Sequence, residues 1–241
     1  MNDLSTVGLQ LIDLLAAVSL LLAFGLLIQR RLTALIDFYA LQSLVLVIVT
    51  SLVGWLTGQR HLYLSAALTM VLKVLLIPIL LYRLVRRLRL ETSHDTLVKL
   101  PATLLLGLLL VIFAFDVARP IAQLSTAIAS GTLGIALAGI LVGFLMMISR
   151  SRAISQVIAF LAMENGVFLA ATAVTHGMPM VVELGIAVDV LIGVLILGVF
   201  LFHLQDAADS LEAGGPASPT ARLERSGPET PKPRKARTQT P

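Results

Sequence analysis

Residues 155–175 read SQVIAFLAMENGVFLAATAVT, a nearly unbroken apolar run with Glu164 and Asn165 side by side near its centre. A helix needs ~20 such residues to cross ~30 Å of hydrocarbon, so this segment is long enough to span a membrane. The same signature recurs at 8–28, 36–56, 63–82, 98–117, 127–148 and 180–203. The chain therefore predicts an all-α, polytopic transmembrane bundle of seven spans. Helices rather than a barrel follow from the long Leu, Ile, Val and Ala runs, because a backbone in lipid must satisfy its own hydrogen bonds. The first span is too long, and too closely followed by others, to be a cleaved signal peptide. It also begins beside Asp3 and carries Asp13, where a signal would carry positive charge.

Composition agrees. Of 241 residues, 57% are hydrophobic and 13% charged, with a mean hydropathy of +0.94. Ordinary soluble domains are ~25% charged, so a soluble enzyme is excluded. The absence of cysteine excludes disulfides, thiolate clusters and a cysteine nucleophile in this chain. His61, His94, His176 and His203 are too far apart for a helical metal pair, and no phosphate loop, nucleophile elbow or dinucleotide fingerprint occurs. Neither a metal nor a cofactor is expected. With aromatics at 5%, base stacking has little to work with. The net charge of +4 points to a lipid bilayer as partner, not to nucleic acid.

Basic residues sort by side. Of the 18 Lys and Arg, Arg60 and Arg119 fall on one face and Lys73 inside a span; the remaining fifteen fall on the other face. That second face holds Arg30 and Arg31, then Arg83, Arg86, Arg87, Arg89 and Lys99, then Arg150 and Arg152, and finally the tail. By the positive-inside rule the N-terminus lies outside and the C-terminus in the cytoplasm, which an odd number of spans satisfies. The chain thus divides into a bundle over 1–205 and a tail over 206–241. The tail is rich in Pro, Gly, Ser and Thr and is expected to be disordered.

The ionisable residues inside the spans carry the functional information. A charge at a helix centre costs ~2.5–3.5 kcal/mol on insertion. Lys73, Glu164 and Asp189 lie near the middle of spans three, six and seven. Asp13, Asp37, Asp116 and Glu183 lie within two turns of an end, where headgroups are in reach. Glu164 must find a cation or a donor network, or hold a proton; Asn165 offers a second polar group, and Gly166 a close helix approach. Glu183 could form the mouth of a path toward Asp189. Lys73 stands five residues before Pro78 and could pair with Asp37, Glu164, Asp189 or an acid on another subunit. Each of these residues admits two roles, a proton path or a structural hydrogen bond.

Spans five to seven, and most closely 156–203, resemble the E membrane subunit of hydrogenase-4-type complexes. The part over 127–203 is similar to the three-helix K subunit of respiratory complex I and to the C subunit of multisubunit cation/proton antiporters. Gln156 to Phe160, Met163-Glu164-Asn165-Gly166, Met178 to Gly185 and the run Asp189 to Gly193 carry the likeness. The K subunit has mid-membrane carboxylates in its second and third helices, and the matching positions here are Glu164 and Asp189. This sequence departs in carrying Asp at the second site and in placing Asn165 directly after Glu164. The resemblance implies a non-catalytic subunit, without metal, of a bacterial cytoplasmic-membrane complex. Antiporter-like membrane subunits and a [NiFe]-hydrogenase-like peripheral arm would be its partners. Its function would be proton translocation through Glu164 and Asp189, with Lys73 and Glu183 secondary. A purely structural scaffold and a free-standing secondary transporter are the alternatives; no internal repeat favours the latter.

Overall fold

The long apolar runs fold as helices, and every regular element among the described residues is helical. The computed structural model describes residues 2–87, 100–124, 130–175, 185, 187–188, 190–195 and 198. In chain order these form α1 (Asn2–Ile28), α2 (Leu32–Thr57), α3 (Arg60–Thr69), a π-helical segment (Met70–Leu76), α4 (Ile77–Arg87), α5 (Leu100–Leu124), α6 (Ser130–Ser149) and α7 (Ala153–Thr175). All belong to one compact unit, Met1–Leu197. Because α3, the π segment and α4 run on without a break, six stretches are long and apolar enough to cross a membrane. These match the first six predicted spans. The predicted seventh, 180–203, lies largely outside the described residues, although those described within it are helical. The predicted tail lies outside them altogether.

α2 occupies the centre, packed against α1, α7 and the α3–π–α4 rod, while α6 lies against α1, α5 and α7. The core joins Ile12, Ala16 and Leu22 of α1, Val45, Leu46 and Val49 of α2, and Phe168 and Leu169 of α7. Gly58, in the left-handed conformation, ends α2, a backbone geometry that costs glycine no steric penalty.

One end of the bundle is fixed by three contacts. α1 and α2 are joined by a loop of three residues there. The Tyr82 hydroxyl of α4 donates to the Thr33 carbonyl at 3.4 Å and to Asp37 of α2. Arg150, just past α6, is buried, and its guanidinium donates to the carbonyls of Leu26 (3.0 Å), Leu27 (3.1 Å) and Gln29 at the end of α1. A cation at a helix C-terminus satisfies orphan carbonyls and opposes the helix dipole. Arg150 is therefore a structural cap, not the loop charge its sequence position suggests. The exposed Arg30, Arg31, Arg83, Arg86 and Arg87 lie at this same end.

The inward stripe of the α3–π–α4 rod runs on through the π segment to Lys73. On α3 the buried positions Leu62, Ser65, Ala66 and Thr69 follow ordinary helical spacing; then Thr69, Lys73 and Ile77 follow at intervals of four. The Ile77 N–H reaches the Leu72 carbonyl, five residues back. This wide turn directly precedes Pro78, whose ring in a regular helix would press on the carbonyl four residues back.

α6 and α7 make the closest crossing. A Cβ on Gly143 would sit 2.8–2.9 Å from the Met163 backbone and Cβ, and one on Gly166 would sit 2.9 Å from the Ile140 nitrogen. Gly139, one turn away, has open space in the same test. Gly143→Val is accordingly expected to cost about 1–3 kcal/mol by forcing the helices apart, whereas Gly139→Ala leaves stability unchanged or raised. Thermal unfolding of the detergent-solubilised protein checks both.

Candidate functional site

The crossing of α6 on α7 grips Met163 and Gly166, and the two residues between them are Glu164 and Asn165. The backbone carrying both polar side chains is thus held from behind by glycine contacts. Their side chains face the π segment and α2. Lys73 Nζ lies 3.2 Å from Glu164 Oε2 and donates to Asn165 Oδ1 at 3.0 Å. Asn165 Nδ2 donates to Ser43 Oγ at 3.0 Å and, more weakly, to Gln42 Oε1 at 3.5 Å. Gln42 Nε2 in turn approaches the Ser19 carbonyl of α1 at 3.5 Å. One polar chain therefore links α7, the π segment, α2 and α1.

The chain lies deep in the bundle. Lys73 is 1% exposed and Glu164 8%; Asn165, Gln42 and Ser43 are equally covered. At ~1.5 Å per residue, Ser19, Gln42 and Glu164 each lie ~14–16 Å from the arginine-rich ends of α1, α2 and α7. Lys73 lies ~21 Å from the end of α4, and its long side chain spans the difference. All four meet about halfway along the helices. An ammonium and a carboxylate at that depth each carry a large desolvation penalty, which mutual attraction and added hydrogen bonds must offset.

Of the predicted site residues, the structure brings Glu164 and Lys73 together. It pairs Lys73 with Glu164 and gives Asp37 to Tyr82. Asp189 and Glu183 lie outside the described residues. Near them, the described Gly185 approaches this site: a Cβ there would stand 3.8 Å from Glu164 Oε1. The remaining span-end acids have local partners. Asp13 accepts from Thr132 of α6, and Asp116 pairs with Arg119 at 3.1 Å on the exposed side of α5. Gln42 and Ser43 were not singled out by sequence. Their only signal there is two adjacent polar residues inside an apolar span. Among the described residues no group of three His, Asp or Glu side chains could hold a metal ion.

Breaking the ion pair from one side removes the opposite charge from beside a buried one. Lys73→Met alone, or Glu164→Leu alone, is expected to destabilise the chain by about 3–5 kcal/mol, and the double variant to regain most of that loss. A double-mutant cycle on thermal unfolding in detergent measures the coupling.

No family model matches the chain, and no solved structure matches it. Among known proteins, the uncharacterized protein Rv0085 of Mycobacterium tuberculosis is 31% identical over 192 residues, 79% of this chain and 87% of that protein. Hydrogenase-4 component E of Escherichia coli K12 and that of Shigella flexneri are each 29% identical over 160 residues, 66% of this chain and 74% of theirs. These matches join the sequence likeness around Glu164 and Asn165 to six apolar helices of membrane-crossing length. The chain is thus similar to hydrogenase-4 component E, the family its sequence resembles.

Proposed function

We propose that this chain is a non-catalytic, multi-pass subunit of a hydrogenase-4-like, complex I-related assembly in the bacterial cytoplasmic membrane. In that assembly it contributes buried carboxylates to proton translocation. Its partners on this reading are antiporter-like membrane subunits and a [NiFe]-hydrogenase-like peripheral arm. The relatives' name supports the assembly. The charge asymmetry supports an arginine-rich end facing the cytoplasm, with the N-terminus outside and seven spans in all.

The observation that carries the mechanism is the Lys73–Glu164 pair, held at mid-bundle among four helical elements. A carboxylate beside an ammonium in an apolar interior responds strongly to any charge that moves nearby, because little water screens it. Glu164 can take a proton when the surroundings favour neutrality and return it when they favour the ion pair. Asp189 is the next acid along the proposed path, and Glu183 its mouth toward the outer face. Lys73 supplies the counter-charge.

Glu164→Gln in the native assembly tests this. The expected result is a complex that still co-purifies with its partners and retains redox turnover, but translocates protons at a tenth of the normal rate or less. Unchanged translocation would instead favour a scaffold whose buried acid only joins helices. Glu164→Asp, which keeps the charge on a shorter stem, is expected to fall between the two.

A further inference from the structure

We propose that the seam between α2 and the α3–π–α4 rod binds an anionic phospholipid, its phosphate held by Arg31 and Arg86 and its acyl chains laid along the exposed apolar side chains beneath them. Such a site needs only helices of membrane-crossing length. Neither the proton path nor the side of the bundle that faces the cytoplasm enters into it.

Between Leu32 and Thr57 only Asp37, Leu41, Ile48 and Trp55 are exposed. Spacings of four and seven put all four on one face of α2. Asp37 and Trp55 stand 18 residues apart, ~27 Å at ~1.5 Å per residue and close to the ~30 Å of hydrocarbon in a bilayer. The rod repeats the arrangement beside it. Leu64, Val71, Leu75 and Ile79 are exposed along its length, and Tyr63 and Tyr82 bound them. Both tyrosines close on α2. The Tyr63 ring lies 3.7 Å from where a Cβ on Gly54 would stand, next to Trp55, and the Tyr82 hydroxyl donates to Asp37. Trp and Tyr favour the two membrane–water interfaces, where one end of the ring system is in oil and the other wet. The stripe is as tall as the hydrocarbon layer, apolar between its ends and edged with aromatic rings.

Positive charge gathers at one end of this stripe. α2 begins and α4 finishes there, and Tyr82 fixes their register through Thr33 and Asp37. Arg86 follows Tyr82 by one turn on the same face of α4, and Arg31 precedes Thr33 by two residues, so the two exposed arginines stand at one level. Arg30, Arg83 and Arg87 are exposed at the same end. Against these five arginines α2 and α4 carry one acid, Asp37, six residues from Arg31 and ~9 Å deeper. Its carboxylate accepts from Tyr82. Arg150 is directed elsewhere, to the carbonyls that end α1. A guanidinium grips phosphate oxygens through two parallel N–H bonds. A phosphate at the level of Arg31 and Arg86 with hydrocarbon chains running down from it is a phospholipid. An acidic protein surface docking from the water would engage the arginines and leave the apolar stripe unused.

Titrating the full chain in detergent with phosphatidylglycerol or phosphatidylcholine, while native mass spectrometry counts the lipid bound, tests the site. Phosphatidylglycerol is expected to bind at least about tenfold more tightly than phosphatidylcholine. A basic residue beside an anionic headgroup changes affinity by about fivefold, so Arg31→Gln with Arg86→Gln is expected to weaken phosphatidylglycerol by about thirtyfold and phosphatidylcholine by under about twofold. Arg60→Gln with Arg119→Gln removes the same charge from the opposite end and is expected to leave both lipids as they were. If the first double variant folds poorly, Arg31→Gln and Arg86→Gln made singly are each expected to cost phosphatidylglycerol about fivefold. Equal affinity for the two lipids, or an equal loss from the two double variants, would overturn the assignment. So would phosphatidylglycerol binding that ignores Arg31 and Arg86, which would leave those arginines to a protein partner. Inorganic phosphate raising the Tm of the chain as much as phosphatidylglycerol does would show that the apolar stripe takes no part, and would overturn it too.

Discussion

A buried ammonium has to be neutralised before this bundle can close, and that requirement organises its centre. Lys73 is 1% exposed in a chain whose helices are otherwise apolar over most of their length. The ion pair with Glu164 answers its charge, and Asn165 answers a further N–H. Meeting both needs at once brings three elements to one point: the π segment, α7, and α2 behind Asn165. The glycine contacts of α6 on α7 then hold the Glu164–Asn165 turn from the opposite side. Polar compensation and close packing thus converge on the same two residues.

Much of this was legible in the sequence, for a physical reason. Hydropathy reports how a residue partitions, so the six described spans and the anomaly of Lys73 and Glu164 inside them could be seen before any coordinates. What hydropathy does not report is pairing. Lys73 had several acids open to it, and it is packing that brings Glu164 to it while Asp37 goes to Tyr82. Arg150 shows the same limit from the other side. A lone arginine at a helix end looks like a solvated loop charge, yet its partners are backbone carbonyls of α1, more than 120 residues away in sequence. Backbone acceptors leave no mark on a sequence. The π segment was half visible: Pro78 predicts a distortion, but not that the stretch before it, which carries Lys73, widens into π turns.

The two sides of the ion pair are built differently. Glu164 stands on a regular helix clamped by backbone-close contacts at Met163 and Gly166, so the placement of its carboxylate is set by a stiff support. Lys73 stands on a wide helical turn and reaches its partners through a long, flexible stem. A stem of that kind needs a fixed destination if the charge at its tip is to be held in place. Asn165 provides one from the same stiff turn as Glu164, so these two acceptors of Lys73 move together.

Stability alone does not account for a lysine and a glutamate in this position. A buried ion pair roughly breaks even against apolar residues of the same shape, and replacing one with hydrocarbon is often neutral or stabilising. A bundle selected only to hold together could have filled the space with Leu and Ala, the residues that make up most of its buried apolar core. The amide chain through Asn165 and Gln42 sharpens the point. It spends two further polar side chains in the core, neither of which touches Glu164 in the hydrogen bonds that define the site.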